Sequence, residues 1–326
     1  MQRGWWFCFA GVVLGLTTGA ARSEETAQLP SAKPVPRVQV LPLPRDEAAV
    51  RWDGREWSRL YFDASLNRPF LYPMIGPSGV SLTRMGHPHD PAGHSHHNSV
   101  WLSHNDVGGV NFWGDSGAGK IEVTKISRYV DGDTGVIDMK IVWREKGAKA
   151  AKVLLTERRQ LRFQPMDKGE WMLLSQSEFR AADQPVELGK SPFGMIGVRM
   201  AKTIGVHDGG GRIRNSEGGV DEKEVFWKAA RWVDYSGQVA EGVIEGITLF
   251  DHPENPNHPS KFHVRDDGWM GASLTFDAPM TVGKETPLVV RYGLWIHAGL
   301  PTIEAINQQW ERYGELAATP VPEAAK

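Results

Sequence analysis

The run Ile137-Asp138-Met139-Lys140-Ile141-Val142-Trp143 decides the fold class. Ile137, Met139, Ile141 and Trp143 point one way on an extended chain, and Asp138 and Lys140 the other, because strand side chains alternate. Outward from this run, strand candidates recur at 59–63, 70–75, 80–85, 99–104, 121–130, 152–163 and 171–179. Later ones lie at 194–200, 231–235, 243–250, 261–265, 272–276 and 287–297. Turn signals separate them, among them Asp131-Gly132-Asp133, Lys146-Gly147, Asp167-Lys168-Gly169 and Asp208-Gly209-Gly210-Gly211. Helical patterns of about 10–15 residues do not intervene, which argues against βαβ units. The expected fold is all-β, a large antiparallel β-sandwich with few short helices. The one helix signal is 301–313, with Pro301 near its start and Ile303, Ile306 and Trp310 at helical spacing.

The 326 residues are 40% hydrophobic and 23% charged, an ordinary globular composition. Residues 1–23 read as a secretory signal: Arg3, an apolar core from Trp5 to Leu16, and Ala21-Arg22-Ser23 before Glu24. That core is shorter than the ~20 residues of a spanning helix, so no integral membrane segment is expected after cleavage. Cleavage would remove Cys8, the only cysteine, and leave 35 basic against 39 acidic residues. No basic stripe with interleaved aromatics appears, so nucleic acid is not an expected partner. The expected location is periplasmic or secreted. Residues 24–45, with Pro30, Pro34, Pro36, Pro42 and Pro44, read as a linker or an extended edge segment. Residues 46–316 read as one sandwich domain and 317–326 as a disordered tail.

Six of the eleven histidines lie in 87–104: His87, His89, His94, His96, His97 and His104. Imidazole is the commonest metal ligand and titrates nearest neutral pH, so this cluster fits metal or acid/base chemistry. In an extended chain His94, His96 and His104 would share a face. The competing reading is a polar surface loop or an adventitious metal-binding tract. Charge also falls on apolar faces. Glu157 and Arg159 sit between Leu155 and Leu161, either as a buried pair or as site residues. Arg291 and His297 share a face with Trp295, and His297 reads equally as an acid/base group or a core histidine. A second motif, Asp251-His252-Pro253-Glu254-Asn255-Pro256-Asn257-His258-Pro259, continues through His263 to Arg265. Its prolines make it rigid, as a site loop or as a turn.

Together these blocks resemble a family of secreted bacterial proteins labelled PmoA-like. The family pattern runs roughly Asp-His-Pro-His-His-Arg-Gly-Leu-Trp, and is found here as Gly93-His94-Ser95-His96-His97-Asn98-Ser99-Val100-Trp101, with His104 and Phe112-Trp113 following. Asp251 to Arg265 matches a second family block, and Arg291, Tyr292, His297 and Gly299 match a third. Gly93, Ser95 and Asn98 depart from the usual Asp, Pro and Arg, and Asp90 lies just upstream. The resemblance implies a galactose-mutarotase-like sandwich and a place among bacterial carbohydrate-utilisation proteins, including those acting on 3-keto-glycosides.

Two function classes follow as expectations. The first is a carbohydrate-active enzyme, a metal-assisted lyase or hydrolase acting on an oxidised (keto) glycoside. His96 or His97 would be the base, and a divalent zinc-like cation would be held by His94, His96 and one of His104, His252 or His263. Arg199 or Arg265 would help hold the enolate oxygen. A metal-free variant pairs a histidine with Glu157. The second class is a non-catalytic glycan-binding sandwich using tryptophan platforms. A copper oxidase with an N-terminal histidine brace does not fit, since the expected cleavage exposes Glu24.

Overall fold

Ile137, Met139, Ile141 and Trp143 are buried in the strand Gly135–Glu145 of a computed structural model, which describes Met1, residues 31–147 and residues 152–318. Asp138, on the opposite face, is buried too. Its carboxylate accepts hydrogen bonds from Arg128 Nε at 2.7 Å and Gln160 Nε2 at 2.9 Å. This strand belongs to an eight-stranded sheet ordered Arg212–Asn215, Trp232–Ala240, Val243–Asp251, Leu288–Ala298, Trp171–Ala181, Val153–Pro165, Gly135–Glu145 and Gly119–Val130. A nine-stranded sheet runs Val38–Leu43, Glu47–Trp52, Arg55–Tyr61, Phe70–Leu71, Val100–Leu102, Met195–Arg199, Trp269–Ser273, Lys261–Arg265 and Lys228–Ala229. All neighbouring strands in both sheets pair antiparallel.

One apolar cluster joins Val100, Ile196, Val198 and Met270 of the larger sheet to Ile141, Leu161 and Leu173 of the smaller. That is the filling of a sandwich, as the alternation predicts. The outer faces differ. On the smaller sheet Trp232, Phe250 and Trp295 lie under Ile306 and Tyr313 of the helix Ile303–Gly314. Thr302 caps this helix, its hydroxyl accepting from the Ala305 amide at 3.2 Å. On the larger sheet Phe70, Trp101 and Trp269 cluster with Trp113 from a loop.

Val38–Leu43, inside the proline-rich 24–45, follows the extended-edge reading of that segment, with Val38 and Val40 in the core. Two expectations are corrected. Residues 80–85 make only isolated bridges at Ser81, Thr83 and Met85. Glu157 is not a site carboxylate. It is buried inside the sandwich, accepting from Arg159 Nε at 2.6 Å, Trp143 Nε1 at 2.7 Å and Ser177 Oγ at 2.7 Å. These elements belong to the compact unit Pro36–Lys326. Residues 2–30, which include most of the expected signal, and residues 319–326, in the expected tail, lie outside the described residues. No helix among the described residues is long and apolar enough to cross a membrane.

Candidate functional site

Strand register builds the floor of a cleft on the outer face of the nine-stranded sheet. Because alternate side chains share a face, Val100, Leu102, Ile196, Val198, Met270 and Ala272 go inward to the core, and their neighbours go outward. One outward row pairs Phe70 with Trp101, Trp101 with Gly197, Gly197 with Gly271, and Gly271 with His263. The next pairs Arg199 with Trp269 and Trp269 with Arg265. Gly197 is what allows the two indoles to lie over the sheet. A Cβ there would come within 2.5 Å of the Trp269 ring and 3.0 Å of the Trp101 ring.

Loops raise the walls. The loop after Met85 is closed by the Met85–Asn98 bridge and by the Gly86 amide on the His97 carbonyl at 2.8 Å. Buried Arg68 ties it to the neighbouring loop, donating to Asn98 Oδ1 at 2.8 Å and to the Trp113 carbonyl at 2.7 Å. The cleft, about 720 Å³, is lined by His87, His94, His96 and His97 from this loop and by His263 and Arg265 from the late motif. Arg199 and Asp267 line it as well, with Trp113, Phe193, Phe226, Trp227 and Trp269 as aromatic walls. The two distant motifs therefore meet.

Hydrogen bonds assign the imidazole nitrogens. Trp269 Nε1 is a donor only, and it lies 3.1 Å from His263 Nδ1. His263 therefore accepts at Nδ1 and carries its proton on Nε2, which occupies both nitrogens against a metal. His87 Nδ1 accepts from the His89 and Asp90 amides at 3.0 Å each, so its Nε2–H donates to Asp267 at 2.7 Å. His94 is the reverse case. Its Nδ1 lies 2.9 Å from Asp90 Oδ2, the carboxylate fixes the Nδ1–H tautomer, and Nε2 keeps a free lone pair. Asp90 Oδ1 also accepts the Gly93 amide at 2.8 Å. A Cβ on Gly93 would fall 2.3 Å from Asp90 Oδ2, so Asp90 places its carboxylate where a side chain at 93 would begin.

Arg199 is fully buried, with Nη1 on Asp267 at 2.8 Å. Its Nε and Nη2, like His97 Nδ1, are buried without a partner among the described residues. Burial pushes the His97 imidazole down to about 2, helped by neighbouring His96 and Arg199. Burial and Arg68 push His96 down to about 4, and burial and Arg265 do the same for His263. Burial works to raise the Asp267 carboxyl, but Arg199 and His87 hold it below its ordinary value. The cleft thus offers neutral imidazoles, cationic guanidiniums and one ionised carboxylate.

The neutral imidazoles make the fold acid-sensitive. His104 and His252 are also depressed to about 4 by burial. In the unfolded chain these groups regain a value near 6.5 and take up protons below it, whereas the folded chain resists protonation until near 4. Stability is therefore full above about pH 6.5 and falls as pH drops towards 4. The expected slope exceeds ~1.4 kcal/mol per pH unit, the value for one proton. Denaturant midpoints from pH 4 to 8 measure it, and a flat profile would contradict the assignment.

The other sequence candidates lie elsewhere. His94, His96 and His104 do not share a strand face, because residues 91–96 turn and only Val100–Leu102 is extended. His104 is buried between the Asp106 amide at 3.1 Å and Thr275 Oγ1 at 2.8 Å. His252 packs edge-on against Tyr313, 5.0 Å between ring centres, on the far side of the sandwich. His297 is a core histidine, its Nε2 2.9 Å from buried Asp234. His104 and His252 do not reach His94 and His96, and His263, which shares their cleft, has no nitrogen free. The expected metal set of His94, His96 and one of His104, His252 or His263 is thus not assembled among the described residues. Most of the late motif is a rigid turn, in which Asp251 accepts from the Ser260 amide at 2.8 Å and Asn255 from the Arg291 amide at 2.7 Å. Apart from the residues that line the cleft, His89, His207 and Asp208 bring their ligand atoms within 4.8 Å of one another, a group that could hold a metal ion.

Sequence reasoning missed Asp267 and Arg68 and, of the aromatic walls, Phe193, Phe226, Trp227 and Trp269. The register signal for Trp269 was the pair Gly197 and Gly271 in the neighbouring row, which becomes visible only once the strands are aligned. A family model described as "Family of unknown function (DUF6807)" matches residues 47–311. That description carries no PmoA-like label. No curated protein matches the chain.

Proposed function

The chain belongs to the DUF6807 family, and for this member we propose an extracytoplasmic carbohydrate-active enzyme that acts on a keto-glycoside. The observation that carries the reading is the meeting of an oriented imidazole, His94 on Asp90, with buried unpartnered donors of Arg199 in one aromatic-walled cleft. Trp227, the exposed aromatic of the cleft wall, offers ring surface on which a sugar stacks. His94 Nε2 takes the proton from the carbon beside the ketone, as a base held by a third group. The electron pair passes to the ketone oxygen, which the Arg199 donors and the His263 Nε2–H stabilise. Collapse of that enolate breaks the bond to an oxygen substituent on the next carbon, which departs as an alcohol with the proton that His94 took, completing an elimination. His263, whose Nδ1 accepts from Trp269, serves here as an N–H donor and not as a metal ligand. The motif resemblance to PmoA-like proteins and the sandwich fold support the carbohydrate class, and the signal-like residues 1–23 support the location.

The test is turnover of 3-keto-glycosides against their unoxidised parents, with and without chelator. Keto forms are expected to react, and His94→Ala is expected to lower kcat by about 10²–10⁴-fold with Kd little changed. A His94→Ala variant as active as the wild type would remove the assigned base. Binding without turnover by the wild type would return the protein to the glycan-binding class.

A further inference from the structure

We propose that His89, His207 and Asp208 form a divalent transition-metal site of the zinc class, separate from the sugar-binding cleft and serving to clamp its histidine loop. His89 Nε2 lies 2.7 and 2.9 Å from the two Asp208 oxygens, and His207 Nδ1 lies 3.1 Å from Oδ1. Ligands about 2.0–2.1 Å from one tetrahedral ion stand roughly 3.3 Å apart, so the contacts to Asp208 would open slightly around an ion, and all three ligand atoms already lie within 4.8 Å of one another. Neighbours on a helix normally diverge. Here His207 and Asp208, on the single turn Val206–Gly209, converge because His207 uses its near nitrogen and Asp208 is short.

The donor set also matches the chemistry. Two imidazoles and one carboxylate suit zinc and its neighbours over calcium or magnesium, which prefer all-oxygen shells. The Asp208 side chain is 7% exposed, while those of His89 and His207 are 47% and 70% exposed, so the charge is anchored and the fourth position faces solvent. The two segments are far apart in sequence, and the ion would join them. His89 follows closely on His87, whose Nε2–H holds Asp267, which in turn holds Arg199. A bound ion therefore fixes the start of the loop that carries His94, His96 and His97. The site stands or falls independently of what the cleft binds.

Zinc titration of the metal-stripped full chain, followed by elemental analysis and thermal melting, tests it. The wild type is expected to retain one equivalent and to melt about 5 °C higher at zinc a hundredfold above its Kd. His89→Ala/His207→Ala should retain none, with an unchanged circular dichroism spectrum. His94→Ala/His96→Ala should still retain one. Hydrogen exchange should slow in 87–98 and 206–209 on adding zinc. Retention by the first double variant, loss from the second instead, or no zinc bound by the wild type would each overturn the assignment.

Discussion

Arg199→Met is expected to abolish ligand binding and to destabilise the protein by about 3 kcal/mol, the low end for breaking a buried ion pair. Arg199 is fully buried and gives Nη1 to Asp267, so its loss leaves a carboxylate that keeps only His87 as a donor among the described residues. Asp267 is partly exposed, which limits the penalty. The double variant Arg199→Met/Asp267→Asn separates the two effects. Removing the stranded charge should restore most of the stability in denaturant titrations, while calorimetric titration with the ligand still shows no binding. Restored binding in the double variant would mean that Arg199 acts only through Asp267, not on the ligand.

Glu157→Ala is expected to give the opposite pattern, a loss of about 3–5 kcal/mol with the cleft intact. Its carboxylate neutralises Arg159 inside the sandwich and satisfies Trp143 Nε1 and Ser177 Oγ, so truncation strands a buried cation and two polar hydrogens. Glu157→Gln should cost less, because the amide oxygen still accepts one donor. At a temperature where the variant is folded, ligand affinity should match the wild type. Lost activity at unchanged stability would put Glu157 back in the site.

The fold was legible because the physics that sets it is local. Ile137, Met139, Ile141 and Trp143 repeat with the strand period, and the apolar period of Ile303, Ile306 and Trp310 marks the helix Ile303–Gly314. Short strands such as Glu47–Trp52 and Arg212–Asn215 escaped, since each has too few alternations to show a period and carries charge. The site was half legible. A density of histidines identifies the loop, and His263 and Arg265 follow from alternation on Lys261–Arg265. What alternation cannot show is a turn imposed by a side chain: Asp90 caps the Gly93 amide, so 91–96 curl and His104 parts from His94. Nor can it show long-range partners. His297 and His252 look like candidates until Asp234 and Tyr313 are found beside them, and Asp208 looks like a turn residue until His89 reaches it. Gly197 reads as a neutral strand position, although its missing Cβ is what makes room for two indoles.

The most direct measurement is a histidine-selective ¹⁵N spectrum of the protein recorded while a keto-glycoside is titrated. The account predicts that His94, His96, His97 and His263 shift together and saturate at one ligand concentration, while His104, His252 and His297 stay still. Shifts confined to the latter group, or a His263 that does not respond when His94 does, would contradict the claim that two distant motifs share one sugar-binding cleft.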